Sequence, residues 1–281
     1  MQLLEWLRQG EARLQAGPHP ERARLDAQTL LLHLIGKDRA WLLSHPDEEF
    51  GGCKSIGYSQ LIERRAAGEP IQYITGECEF FGLPFRVNRD VLIPRPETEH
   101  LVEKALELAA DFAQPRIVDV GTGSGAIAVA LAHKLPNAEV TAIDLSSAAL
   151  QVAKGNAECN SVADRIRFLE GDLLAPVAGE QFEFVVSNPP YVANGDRELL
   201  AAEVREHEPE LALFAGSHGL DIYSRLAPAA YQAVAPNAFA LFEIGYGQAD
   251  AIAQLLRAVG FKDVQFTKDL QGIDRVICGR R

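Results

Sequence analysis

The chain has 281 residues, 47% hydrophobic and 23% charged, proportions that fit a folded globular protein and exclude a disordered or collagen-like one. Its 39 acidic residues against 27 basic ones give a net charge of -12, which disfavours extended wrapping of DNA or RNA, because neutralising phosphates takes many cations. The longest fully apolar run, Ala126 to Ala132, is far below the roughly 18 residues of a membrane helix, and the start has no basic region followed by a long apolar stretch, so a cytoplasmic protein without membrane contact is expected.

Charge is unevenly placed: residues 1 to 75 carry a net -1 and the remainder -11, which suggests a boundary near residue 75. The first part reads as helical. Leu3, Leu4, Leu7 and Leu14 fall near a 3.6-residue period, Pro18 and Pro20 break it, and Leu25, Leu30, Leu31 and Leu34 resume it until Gly36. A third helix is expected over Tyr58 to Ala67, ended by Gly68 and Pro70. With no strand-like alternation, residues 1 to 75 form a small helical bundle. Residues 76 to 93 read as a β-hairpin linker, with aromatic and branched residues around a Gly82-Leu83-Pro84 turn. Two prolines flanking Arg95 then give a stiff extended connector, and Glu97 opens a helix to about Ala110.

Residues 94 to 281 form the third part. From Pro115 strands alternate with helices. Strands are expected at Arg116 to Val120, Glu139 to Asp144, Arg165 to Leu169, Phe182 to Ser187, Ala238 to Ile244, Asp263 to Thr267 and Arg275 to Cys278. Helices are expected at Ala126 to Lys134, Ser146 to Glu158, Tyr223 to Val234 and Gln248 to Val259. This alternation means a mostly parallel sheet covered on both faces. Only a short turn joins the last two strands, so they should be antiparallel.

Gly121-Thr122-Gly123-Ser124-Gly125 sits between the first strand of that sheet and its helix. Small residues let the backbone turn sharply and approach a ligand, and the helix start offers free amides. Asp144 ends the next strand, 23 residues after Gly121, where an acid can accept from both ribose hydroxyls. Turn and acid together suit either a nicotinamide dinucleotide or S-adenosylmethionine. Asp172, after the third strand, could accept from an adenine amino group. Asp119 could approach a methionine amino group or fix the glycine-rich loop.

Asn188-Pro189-Pro190-Tyr191 follows the fourth strand, beside that loop. Prolines are stiff and donate no backbone hydrogen bond, so the Pro189 carbonyl is expected as a fixed acceptor. Asn188 adds a second acceptor and Tyr191 a flat wall, a combination suited to a planar NH2 group. Holding an amide by its two N–H groups would aim its nitrogen lone pair at a sulfonium methyl. No metal is required. The four cysteines, Cys53, Cys78, Cys159 and Cys278, lack CxxC spacing, and the seven histidines form no HxxxH or His/Cys cluster, so reduced thiols and structural histidines are expected. Arg95 is expected as a linker arginine paired with a nearby acid, with a cofactor carboxylate or an acidic substrate group as the alternative partner. Glu97 is expected to cap its own helix, and Tyr73 and Tyr223 to pack.

The order glycine-rich loop, Asp144, Asn-Pro-Pro-Tyr resembles class I methyltransferases that modify exocyclic or amide NH2 groups. Arg64 to Gly76 (RRAAGEPIQYITG), Leu92 to Thr98 (LIPRPET) and Glu208-Pro209 with Ala212-Leu213 resemble the HemK/PrmC family of protein-(glutamine-N5) methyltransferases, and the similarity spans nearly the whole chain. The resemblance implies a class I (Rossmann-like) domain with a mostly parallel seven-stranded sheet, a helical N-terminal domain that docks substrate, and S-adenosylmethionine as cofactor. It implies methylation of the glutamine in the Gly-Gly-Gln motif of class 1 peptide chain release factors, which would modulate translation termination. Gly121, Thr122, Gly123, Ser124, Gly125, Asp144, Asp172, Leu173 and Asn188 would contact the cofactor. Asn188, Pro189, Pro190 and Tyr191 would hold the glutamine amide, with Asn188, Pro189 and Tyr191 serving the reaction directly. Leu173 stands where some members carry an aromatic, and His218 where members often carry an acid, so that loop receives no role. A monomer without direct nucleic-acid contact is expected.

Four other readings compete. A sister group would methylate a ribosomal-protein glutamine. An adenine-N6 DNA methyltransferase also uses such a loop, but the acidic charge and the lack of a basic recognition region oppose it. A dehydrogenase has no use for Asn-Pro-Pro-Tyr. A binding module that had lost catalysis would not be expected to keep loop, acid and corner intact.

Overall fold

Leu3, Leu7 and Leu14 put one buried stripe on α1 (Leu3–Gln15), and this stripe packs with Ala23, Ala27, Leu30 and Leu31 of α2 (Ala23–Ile35) and with Tyr58 and Ile62 of α4 (Cys53–Ala66). Between α2 and α4 lies the short α3 (Arg39–Ser44), and α5 (Ile71–Thr75) follows α4. The computed structural model describes residues 2–49 and 51–281. It divides into two units, Met1–Gly76 with Ala201–His207, and Glu77–Leu200 with Glu208–Arg281.

In the helical unit α1 and α4 meet at Gly10, where a Cβ would lie 2.4 Å from the Tyr58 hydroxyl oxygen. That hydroxyl donates to the Ala27 carbonyl (3.1 Å). A charged cluster lies alongside. Arg65 Nε binds Asp26 Oδ2 at 2.7 Å, with both side chains buried, while Arg65 Nη1 reaches the Glu69 carbonyl (3.0 Å) and Glu203 Oε2 (2.9 Å). Helix α4 begins at Cys53, five residues before the expected start, and α3 and α5 were not expected at all. Both are shorter than two turns, too short for a periodic pattern to show. For α3 the signal was its cap, Asp38, which accepts from the Trp41 amide (2.7 Å).

The second unit opens with an antiparallel hairpin, β1 (Glu77–Phe80) and β2 (Leu83–Arg86). Its turn is Phe81-Gly82, with φ of 54° and 73°, and not the expected Gly-Leu-Pro, because Leu83 and Pro84 already belong to β2. A two-residue hairpin loop of the type I′ kind needs positive φ at both positions, and the Phe81 amide is held by Glu99 Oε1 (2.8 Å). The expected helix start at Glu97 is also corrected. Glu97 lies in a single 3-10 turn, Pro96–Thr98, and α6 runs Glu99–Ala109.

Then come β3 (Arg116–Val120), α7 (Ala126–Lys134), β4 (Glu139–Asp144), α8 (Ser147–Cys159), β5 (Ile166–Glu170) and β6 (Phe182–Ser187). The short α9 (Ala202–His207) returns to the helical unit. The chain continues as α10 (Asp221–Ala233), β7 (Val234–Glu243), α11 (Ala249–Val259), β8 (Lys262–Lys268) and β9 (Asp274–Arg280). β7 starts four residues earlier than expected, directly at the end of α10. The seven strands order as β5-β4-β3-β6-β7-β9-β8. β3, β4, β5, β6 and β7 are parallel, and β9 runs antiparallel to both β7 and β8, as the short final turn implied. One face buries against α6, α7 and the hairpin, the other against α10 and α11. Among the described residues no helix is long and apolar enough to cross a membrane.

Removing one partner from a buried ion pair leaves an uncompensated charge, which typically costs about 3–5 kcal/mol. Arg65→Met should therefore destabilise the helical unit by roughly that amount in denaturant unfolding, whereas Asp26→Leu/Arg65→Met should lose clearly less. Single and double changes whose effects simply add would contradict this reading of the cluster.

Candidate functional site

The strand order reverses between β3 and β6: the chain leaves β3 toward β4 and β5, then crosses back to β6 on the other side. In open α/β sheets such a reversal opens a crevice at the carboxyl ends of the strands. One hydrogen bond, Ser187 Oγ to the Val120 carbonyl (2.6 Å), ties the two strand ends at its floor. A cleft lies there, lined by Gly121, Thr122, Gly123, Ser124, Asp144, Asp172, Leu173, Asn188 and Pro190 among others. Gly125, Pro189 and Tyr191 are not among the lining residues.

The glycine-rich loop is left-handed at three positions, φ 72° at Gly121, 54° at Gly123 and 82° at Gly125, which side chains rarely tolerate. Gly125 does a different job from the other two. A Cβ there would stand 3.0 Å from the Ala153 Cβ of α8, whereas one at Gly121 or Gly123 would meet nothing within 4 Å. The loop is held from behind by Asp119, wholly buried, whose Oδ2 accepts from Thr122 Oγ1 (2.6 Å). Asn156, also wholly buried, donates to the Ser124 carbonyl (2.8 Å) and exchanges two bonds with the Arg86 backbone (2.7 and 2.9 Å). It thereby fastens the hairpin to the loop. Nothing in the sequence pattern marked Asn156.

Asp144 does not cap α8. Ser146 does so, through its Oγ and the Ala149 amide (3.2 Å). Asp144 instead accepts from the Gly123 amide (2.8 Å) and the Ser146 amide (2.9 Å), one on each oxygen. A carboxylate has about four lone-pair sites, so two remain for a ligand. Beside it Leu145 lines the same cleft at 53% exposure, an apolar surface that the sequence reading passed over. Asp172 at the rim is paired with Arg225. Leu173, next to it, is left-handed with φ 50°.

Behind the Asn188 corner stands a second buried acid. Asn188 Nδ2 donates to Thr98 Oγ1 (3.1 Å), and Thr98 Oγ1 donates to Glu243 Oε2 (2.6 Å). Glu243, at the end of β7, is 2% exposed. Burial pushes its pKa up to about 7, opposed by the hydrogen bonds from Thr98 and Asn188. An acid inside the otherwise apolar Phe239-Ala240-Leu241-Phe242-Glu243-Ile244 run was a signal for it. The Tyr191 carbonyl accepts from Gln248 Nε2 (2.9 Å), and Val192 bridges to the backbone of Leu213 and Ala215 (2.9 Å each). The corner is thus pinned from behind. Burial pushes the Tyr191 phenol up to about 12, so it is neutral near pH 7. Arg95 lines the cleft and pairs with the buried Glu208 (2.6 Å), the linker pairing expected for it. Tyr223 is fully buried, its hydroxyl on the Glu243 carbonyl (2.6 Å).

Burial raises the Asp119 pKa from 3.8 to about 7, with nearby Asp144 adding to it and Thr122 opposing. A raised folded-state value means that the folded protein holds this proton more tightly. Its stabilisation is fully present below the unfolded value and is lost as pH rises through 7. Asp119→Asn, which keeps the Thr122 bond, should flatten part of the fall in unfolding free energy between about pH 4 and 7. An unchanged slope across that window would contradict the assignment.

Two family models match: the PrmC N-terminal domain over residues 5–76 and the methyltransferase small domain over residues 98–209. A release factor glutamine methyltransferase of Moorella thermoacetica is 43% identical over 282 residues, covering 100% of this chain and 99% of its own. One from Deinococcus radiodurans is 42% identical with the same coverage, and one from Koribacter versatilis 42% identical over 95% of this chain and 94% of its own. Among solved structures, the catalytic domain of human Mettl16 bound to an RNA hairpin superposes with a TM-score of 0.57 at 18% identity, covering 89% of this chain and 90% of that one. The Thermus thermophilus 16S rRNA methyltransferase RsmC, bound to AdoMet and guanosine, gives 0.55 at 18% identity, over 73% of this chain and 49% of that one. Likenesses at that identity establish the class I methyltransferase fold. The full-length relatives establish more: the chain belongs to the release factor glutamine methyltransferase family.

Proposed function

We propose that this chain transfers a methyl group from S-adenosylmethionine to the side-chain amide nitrogen (N5) of the glutamine in the Gly-Gly-Gln motif of class 1 peptide chain release factors, and so modulates translation termination. The observation that carries the reading is that Asp144 and Asn188, from strands on opposite sides of β3, face one cleft. Family membership supplies the acceptor class.

The cleft suits the cofactor. Open space faces Gly121 and Gly123, where main chain can lie against a ligand. Asp144 keeps lone pairs for a ribose diol, with Gly121 to Gly125 curving around the methionine end. Leu145 and Leu173 give apolar contact for adenine, whose amino group Asp172 accepts. The cofactor supplies an activated methyl carbon on a sulfonium sulfur.

Asn188 Oδ1 and the Pro189 carbonyl accept the two N–H groups of the glutamine amide. Pro190 keeps the corner stiff, and the neutral Tyr191 ring lies beside the carboxamide. Holding both hydrogens out of the amide plane reduces delocalisation of the nitrogen lone pair and points it at the methyl. With S-adenosylmethionine bound there, the amide nitrogen would accept the methyl group and give up one proton to a neighbouring acceptor or water. Orientation of this kind can be worth roughly 7–11 kcal/mol, and fixed dipoles at the developing charge add to it. The reading has the helical part, residues 1–75, dock the release factor. The chain works in the cytoplasm as a monomer, without touching nucleic acid directly.

Incubation with labelled S-adenosylmethionine and three separate acceptors tests this: a class 1 release factor, a ribosomal-protein mixture and duplex DNA. Label is expected on the release factor alone, at its Gly-Gly-Gln glutamine. Label only on ribosomal protein or only on DNA would overturn it.

A further inference from the structure

An asparagine amide has two ends, and only one can serve an NH2 substrate. Oδ1 accepts, while Nδ2 donates and would repel the hydrogens of a carboxamide. The network behind Asn188 decides which end faces the cleft. The Thr98 hydroxyl has a single hydrogen. At 2.6 Å from Glu243 Oε2, within the range of a charge-assisted O–H···O bond, that hydrogen is committed to the carboxylate. Thr98 Oγ1 then has only lone pairs left for Asn188. The end of Asn188 that meets it must therefore be Nδ2, the atom observed there at 3.1 Å.

Among the described residues Glu243 belongs to no ion pair, and the side-chain hydrogen bonds it accepts come from Thr98 and Asn188 themselves. A carboxyl at 2% exposure in a strand end of Phe242 and Ile244 is costly to keep. Its main chain is fixed by Tyr223, whose hydroxyl binds the Glu243 carbonyl (2.6 Å). Thr98 lines the cleft and Glu243 stands behind it. Neither has to touch the reacting atoms to matter.

We propose that Thr98 and Glu243 are positioning residues that lock the Asn188 amide with Oδ1 toward the substrate, so that the site takes a carboxamide NH2 group. This rests on Asn188 being the amide acceptor. Without the lock the Asn188 amide can rotate, and half of its orientations present the wrong end.

The test measures kcat and KM for the release factor, with cofactor affinity, in Asn188→Ala, Thr98→Val, Thr98→Ser and Glu243→Gln. Misorientation at a reacting centre can cost about 100-fold, so Thr98→Val should lower kcat by roughly 10- to 100-fold. Its KM and its affinity for S-adenosylmethionine should stay close to those of the parent. Thr98→Ser, which restores the hydroxyl, should recover most of the kcat. A merely structural role would lower cofactor affinity and thermal stability together and would not separate Ser from Val by their hydroxyl. Glu243→Gln should lower kcat as Thr98→Val does. If Thr98→Val turns over like the parent while Asn188→Ala is dead, the lock is wrong and the amide assignment stands. If Thr98→Ser is as slow as Thr98→Val, the lock is wrong as well. If Asn188→Ala itself keeps full turnover, the assignment of Asn188 falls, and the lock with it.

Discussion

The site depends on the sheet parting at one place. β3 and β6 are neighbours, yet the chain leaves them in opposite directions, so their carboxyl ends stand open. The Ser187–Val120 bond closes the floor of that opening (2.6 Å). The glycine-rich loop rises from one side and the Asn188 corner from the other. Every group proposed to touch ligand sits on a strand end or on the loop that follows it. Parallel strands buried on both faces supply rigid ends, and rigid ends let two ligands be held at fixed separation.

Buried and half-buried polar groups then fix what the strand ends leave loose. Asp119 holds Thr122, Asn156 joins Ser124 to Arg86, Gln248 holds the Tyr191 carbonyl, and Glu243 acts through Thr98. Asp119, Asn156 and Glu243 are costly to bury, and all four are spent on a loop at the cleft. Two of them, Asp119 and Glu243, are shifted up to about 7 by burial, which is where strained electrostatics concentrate in functional clefts.

The parts legible in the sequence are those whose signal is local. Gly121 to Gly125 announce a turn, Asp144 ends a strand at a fixed spacing, and Asn188-Pro189-Pro190-Tyr191 is a stiff corner whatever surrounds it. The alternation of strands and helices gave the seven-stranded sheet and its antiparallel last pair. What stayed hidden is long-range. Thr98 and Glu243 are 145 residues apart in the chain, and Asn156 reaches back 70 residues to Arg86. No periodicity encodes such a pairing, although Thr98 lay in a stretch already singled out and Glu243 in an apolar strand where an acid is out of place. The return of residues 201–207 to the helical unit was hidden for the same reason: the Arg65–Glu203 bond spans 138 residues. The hairpin turn was misplaced because Leu83-Pro84 looks like a loop until Phe81 is seen to take the left-handed position beside Gly82.

The central claim is geometric: one strand-end corner offers two acceptors to a carboxamide and turns its nitrogen toward the methyl donor. A crystal structure with S-adenosylhomocysteine and the release factor's glutamine loop measures this directly. The account predicts the glutamine nitrogen within hydrogen-bond distance of both Asn188 Oδ1 and the Pro189 carbonyl oxygen, with the cofactor sulfur on the far side of the transferred methyl's path. A glutamine nitrogen held by other groups, or an Asn188 amide facing the substrate with Nδ2, would contradict it.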